Sequence, residues 1–156
     1  MKKARHKHKS KKHKQQIICP YCGAQALLRD GSFLFEDPFV KHLYVCVRYP
    51  TCDAYVAAHH SSMKPMGSLA NESLRRKRML AHHYFDQLWR CNPPVFTRKQ
   101  AYGWLGDRLG GHIRHLHIGY MGEGMCDLVI LEAKRVLRLR KENYSGSKAA
   151  NLNERC

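Results

Sequence analysis

Apolar residues along this chain follow two different periods. Between residues 17 and 60 they come in short runs broken by turn formers. Ala26-Leu27-Leu28 and Phe33-Leu34-Phe35 flank Asp30-Gly31, which predicts a hairpin. Residues 40–47 and 54–58 supply further strand-prone runs. Beyond residue 67 the period becomes helical. Ser68 is a suitable N-cap for a helix over 69–89, which cannot pass Pro93-Pro94. Thr97 with Gln100 three residues later predicts a capping box and a helix to Leu109, closed by Gly110-Gly111. A third helix is predicted over 124–141, with Cys126, Val129, Ile130, Ala133, Val136 and Leu137 on one face.

These elements describe an α+β protein: a small β unit at 17–60 followed by a three-helix unit at 61–142. Residues 143–156 are small and polar and read as a flexible tail. Residues 1–16 form a low-complexity segment with no acid and, apart from Met1, no large apolar side chain. Such a segment buries too little surface to offset its ordering entropy, so it reads as a disordered basic arm. Lys2, Lys3, Arg5, Lys7, Lys9, Lys11, Lys12 and Lys14 are its cations.

Charge turns this architecture toward function. The 156 residues hold 28 Lys+Arg against 12 Asp+Glu, a formal net charge of +16. The arm supplies half of it. An excess of this size points to a polyanionic partner, with nucleic acid, DNA before RNA, ahead of a membrane surface. Charge that merely solubilises is the bland alternative, and acidic residues serve that end at least as well. No apolar run reaches about 18 residues, so a spanning helix is not expected. Ile17-Ile18-Cys19-Pro20 follows the basic segment in place of an apolar signal core, which predicts a cytoplasmic protein.

Seven cysteines in such a chain predict thiols rather than disulfides. Cys19-Pro20-Tyr21-Cys22-Gly23 has the spacing of a zinc knuckle. Cys46 and Cys52 form a looser second pair around Tyr49-Pro50. Four thiolates would close a tetrahedral structural Zn2+ site, one per chain. The metal would staple a β unit of 44 residues that is marginal on its own. An accidental cluster of buried thiols and a redox Cys-x-x-Cys are the competing readings. Cys126 reads as a core residue, and His112, His115 and His117 with Cys91 or Cys126 are candidates for a second metal site.

The Cys19–Cys22 and Cys46–Cys52 frame with Tyr49-Pro50 resembles the C-terminal zinc ribbons of type IA DNA topoisomerases. That resemblance implies single-stranded DNA binding and carries no topoisomerase activity, because the catalytic domains are absent. A longer resemblance covers residues 19–137. Asp53-Ala54-Tyr55-Val56, Lys64-Pro65-Met66-Gly67-Ser68-Leu69-Ala70-Asn71, Phe85-Asp86, Leu88-Trp89, Trp104-Leu105 and His117-Ile118-Gly119 resemble a family of small zinc-finger-containing proteins of phage and bacterial genomes. The chain departs from it at Ala57, where glycine is usual, and in the basic arm. This resemblance implies the fold and the zinc, and it brings no activity with it.

In the first helix Arg75, Arg78, His82, Asp86 and Trp89 recur at steps of three or four and share a face. Three readings compete for them. His82 and Asp86 satisfy groups at the ribbon–helix junction; the spacing also allows a hydrogen-bonded chain of Arg78, His82 and Asp86, with Asp86 orienting the imidazole. Arg75, Arg76, Lys77 and Arg78 contact phosphates while Trp89 or Tyr102 stacks on a base. Or His82 is a general base. A metal-dependent nuclease needs converging carboxylates or histidines, and no paired-carboxylate motif stands out. Lys134, Arg135, Arg138, Arg140 and Lys141 add a basic stretch near the end of the third helix. The expectation is a non-enzymatic, zinc-containing protein that binds nucleic acid with little sequence specificity, single-stranded DNA preferred. A protein-interaction adaptor gripping a host enzyme is the main rival, and a small nuclease-like enzyme is third.

Overall fold

The computed structural model describes residues 16–36, 39–110 and 116–153, with side chains as far as Glu142. The basic arm over 1–16, save Gln16, lies outside the described residues, as do His112 and His115. The expected α+β architecture is present. Four strands form one antiparallel sheet in the order β1 (Ile17–Ile18), β2 (Gln25–Asp30), β3 (His42–Cys46) and β4 (Tyr55–Ala57). Three helices follow: α1 (Glu72–Arg90), α2 (Arg98–Leu109) and α3 (Glu123–Asn153). No helix among the described residues is long and apolar enough to cross a membrane.

The β2–β3 connection is longer than the expected hairpin. Asp30 is the reason. Its carboxylate accepts the Ser32 N–H at 3.0 Å and the Ser32 hydroxyl at 2.7 Å. That caps a 3-10 turn over Gly31–Phe33, so Phe33-Leu34-Phe35 is a turn and not a strand. Strand pairing resumes at His42, opposite Asp30. The two rings lie against aromatic partners, Phe33 against Tyr49 at 5.9 Å and Phe35 against Tyr55 at 5.7 Å.

Helix α1 starts three residues later than Ser68 predicts. Ala70 exchanges two backbone hydrogen bonds with Tyr55, both 3.1 Å, and so extends the sheet edge. Asn71 then takes the cap, accepting the Leu74 N–H. The Thr97–Gln100 capping box and the left-handed Gly110 bound α2 as the sequence implies. Helix α3 passes its expected end near Lys141 and runs to Asn153; Gly146 within it does not stop it.

The main core lies between the helices. Leu74, Ala81, Phe85 and Leu88 of α1 meet Ala101 and Leu105 of α2 and Cys126, Val129, Ile130 and Ala133 of α3. Val136 and Leu137, the last residues of the predicted α3 face, are partly buried against it. A smaller cluster of Cys19, Ala26, Cys46, Ala54 and Leu69 sits under the sheet. The two units meet closely where the 61–71 linker crosses the turn before α3. A side-chain carbon on Gly67 would stand 2.0 Å from the Gly119 carbonyl oxygen.

That approach gives one substitution two opposite signs. Gly67→Ala forces the linker off the Gly119 backbone and is expected to cost about 1–3 kcal/mol. Gly103→Ala, in α2 with nothing within 4 Å of the added carbon, is expected to gain about 0.5–1 kcal/mol. Thermal unfolding of the two variants beside the parent checks both signs.

Candidate metal centre and basic surface

Two short turns bring the four predicted thiols together. In the first, Gly23 N–H bonds to Cys19 O at 3.0 Å, and Cys19 N–H bonds to Ala24 O at 2.8 Å. Gly23 sits at φ +70°, a region glycine enters without strain. The second turn repeats the pattern over a longer loop: Tyr49 N–H bonds to Cys46 O and Cys46 N–H to Ala54 O, each at 3.0 Å. Strand pairing sets the turns side by side, because Ala26 of β2 is in register with Cys46 of β3.

The result is a four-sulfur cluster. Cys19 Sγ lies 3.6 Å from Cys52 Sγ, and Cys22 Sγ lies 3.4 Å from Cys46 Sγ. All four sulfurs fall within 4.8 Å of one another. A tetrahedron with zinc–sulfur bonds of about 2.3 Å has edges of about 3.8 Å, so the cluster fits a zinc ion. The donor chemistry fits as well. Cys22, Cys46 and Cys52 each accept a hydrogen bond from the backbone N–H two residues on, those of Ala24, Arg48 and Ala54. Such donors favour thiolates. The Ala24 N–H lowers Cys22 to about 7. Burial pushes Cys46 up to about 12, against the Arg48 N–H. Cys52 is raised too: the Ala54 N–H favours its thiolate, but burial and the neighbouring Cys19 and Cys22 thiols outweigh it. Four thiolates this close need a cation among them to coexist.

The α1 cations expected to contact phosphates divide into different jobs. Arg75 faces the second turn. It donates to the Asp53 carbonyl and carboxylate and to the Ala70 carbonyl, and its guanidinium lies 3.8 Å from the Tyr55 ring centre. Asp53 also accepts the Glu72 N–H at 2.6 Å, at the positive end of α1. Arg76 is exposed and pairs with Glu72 one turn away. Lys77 bridges to Glu123 and Asp127 of α3 at 3.3 and 2.7 Å.

Arg78 departs furthest from the role its sequence position suggests. It is 8% exposed. Its guanidinium donates to Ser68 O at 2.8 Å, Ser68 Oγ at 2.7 Å and Met121 O at 3.0 Å. No phosphate can reach a group so enclosed. It also takes no part in a chain with His82 and Asp86, because Asp86 pairs with Arg90 at 3.3 Å. Desolvation holds the His82 imidazole below its ordinary range; Asp86 opposes this and His117 adds to it. Among the described residues the four-cysteine group is the only cluster of three or more metal-ligating side chains. Cys126 is a core residue, its thiol pushed up by burial.

Trp89 lies at the other end of α1. It stacks on Tyr102 with ring centres 6.1 Å apart and planes 28° apart, over an edge-on Phe85. Phe96 and Trp104 form a second pair at 5.9 Å. All four rings pack against the core and remain partly exposed. Cations lie near them in space or in sequence. Arg98 is 5.7 Å from the Tyr102 centre, Arg140 of α3 donates to the Pro93 carbonyl, and Arg90 and Lys99 are exposed beside them. The sequence showed these residues singly. Their convergence depends on the α1–α2 turn, which no local pattern encodes.

The sequence pattern of a family described as a zinc-finger-containing domain matches residues 15–136 of the chain. No curated protein and no solved structure matches it.

The role of Arg78 is open to direct measurement. Arg78→Met strands the Ser68 and Met121 acceptors in the junction, and a loss of about 2–5 kcal/mol is expected. Arg76→Ala, two positions before it on the exposed side of α1, is expected to change stability by less than about 0.5 kcal/mol. Denaturant midpoints of the two variants provide the comparison.

Proposed function

The chain belongs to the zinc-finger-containing domain family, and we propose that it is a zinc-stapled nucleic-acid-binding protein that acts by binding rather than by catalysis. One Zn2+ per chain, held by Cys19, Cys22, Cys46 and Cys52, is structural. With four protein sulfurs on the ion no coordination position is left for substrate. A reducing, cytoplasmic setting suits these free thiols.

The observation that carries nucleic-acid binding is the far end of the helical unit. There the partly exposed Trp89–Tyr102 and Phe96–Trp104 pairs lie among Arg90, Arg98, Lys99 and Arg140. Cations that meet phosphates, alternating with rings that meet bases, form the usual surface for single strands. Asp86 opposes them nearby, and it is already paired with Arg90. The eight cations of the N-terminal arm add affinity without a requirement of shape. No element among the described residues supplies a base-reading frame, so sequence specificity is low.

Two measurements test this reading. Fluorescence anisotropy with a labelled single-stranded DNA should give binding that weakens steeply with salt. The double variant Arg98→Gln, Lys99→Gln should lower the slope of log K against log salt by about 1.4, near 0.7 for each single-strand phosphate that goes unneutralised. Absence of binding by the parent chain at low salt would refute the proposal. Metal analysis should return one zinc per chain. Chelation should unfold the ribbon, and less chelator should suffice as pH falls, because protons compete for the thiolates.

A further inference from the structure

Helix α3 carries a second face, opposite the core. Val129 and Ala133 are fully buried on the inner side. On the outer side Leu128 and Leu131 are 46% and 61% exposed, and Met79 and Leu80 of α1 are 65% and 44% exposed. Single exposed leucines are ordinary. Leu80, Leu128 and Leu131 are not scattered in this way. Two cross-links hold α1 beside α3: Lys77 to Asp127, and Lys134 over the Tyr84 ring at 4.5 Å. Leu80 lies between Lys77 and Tyr84 in α1, and Leu131 lies between Asp127 and Lys134 in α3. Leu80 and Leu131 therefore flank the same stretch of the helix seam, and Met79 faces away from it.

Charge is arranged around that stretch with a polarity. Glu123 and Asp127 precede Leu131 on the outer side, and Lys134, Arg135 and Arg138 follow it. At 100° per residue, Asp127, Leu131, Lys134 and Arg138 share one side of the helix, with Leu128 and Arg135 flanking it. A two-fold axis through Leu131, with the helices antiparallel, turns this face onto itself. Leu131 then meets Leu131 of the second copy. Asp127 of each copy faces Lys134 and Arg138 of the other, and Leu128 packs along the Arg135 stem. Within its own chain Asp127 pairs with Lys77, Lys134 lies over Tyr84 and Arg138 pairs with Glu142, and the Asp127 and Arg138 side chains remain 55% and 72% exposed. From Glu123 to Glu142 the face is about 30 Å long, enough for a helix-pair interface.

We propose that a second copy of this chain covers this face, forming an isologous antiparallel α3–α3 dimer. At 100° per residue Arg140 falls on the other side of α3 from Leu131, so either reading can stand without the other.

Sedimentation equilibrium of the full chain, freed of nucleic acid, tests the dimer. A dimer is expected at about 100 μM, and Leu131→Glu should make it monomeric with an unchanged circular dichroism spectrum. Reversing one half of the face, Lys134→Glu with Arg138→Glu, should weaken self-association at least about tenfold. Glu123→Lys with Asp127→Lys should do the same. Mixing those two variants should restore a dimer, because the acidic face of one then meets the basic face of the other. A parent chain that is monomeric at that concentration overturns the proposal. So does a Leu131→Glu chain that remains dimeric, or a mixture that stays monomeric.

Discussion

A guanidinium at the junction of the two units sets the terms for the rest of the molecule. Where the ribbon, the linker and the start of α3 converge, the backbone turns away from regular structure and leaves carbonyls without ladder partners. Arg78 answers three acceptors at once, the carbonyl and hydroxyl of Ser68 and the carbonyl of Met121. Burial pulls its pKa down, yet arginine stays charged because its ordinary value is so high. It has no carboxylate partner among its hydrogen bonds, so neutral oxygens carry the whole solvation of a buried charge. Lysine lacks the planar fork needed to do this in one place. The close Gly67–Gly119 approach is possible because this clamp fixes the linker against the turn before α3.

Local features of the fold were legible in the sequence. The cysteine spacing, the Thr97–Gln100 box, the left-handed glycine and the α3 core face all depend on residues near in sequence, and each appears as the pattern implies. Features that depend on competition between partners were not. Ser68 has the chemistry of an N-cap, but its oxygens go to Arg78 and Asn71 caps α1 in its place. Asp30-Gly31 has the chemistry of a two-residue turn, but the Ser32 hydroxyl draws the chain into a 3-10 turn. The same limit hid the division of labour among Arg75, Arg76, Lys77 and Arg78. Helical spacing placed Arg75 and Arg78 on one face. It could not reveal that Asp53 and the Ser68 carbonyl were waiting there.

This division relocates the positive charge of the folded part. Residues 17–60 hold three Lys/Arg, Arg29, Lys41 and Arg48, against four acids, Asp30, Glu36, Asp37 and Asp53. The ribbon is therefore close to neutral. The positive excess of the folded part lies on the helices, and near the ribbon it is taken up by Asp53, Glu72, Glu123 and Asp127. Exposed cations at the other end of α1 include Arg90, Arg98 and Lys99. The ribbon holds the sulfur cluster and the helices carry the positive excess.

The two parts are nevertheless joined through one carboxylate. Asp53 follows the metal-site residue Cys52 directly. It binds the first amide of α1 and the guanidinium of Arg75, which in turn lies over the Tyr55 ring of β4. The position of Asp53 is set by the second cysteine turn, and the orientation of α1 against the sheet is set by Asp53. Disorder in that turn would leave the α1 terminus without its anionic partner and Arg75 without its anchor. The helical core, with Phe85, Leu88, Leu105 and Val129 fully buried, draws nothing from this contact. Loss of the metal centre should therefore detach the ribbon from α1 while leaving the three helices packed. The sulfur cluster holds the two units in a fixed relation and is not the foundation of both.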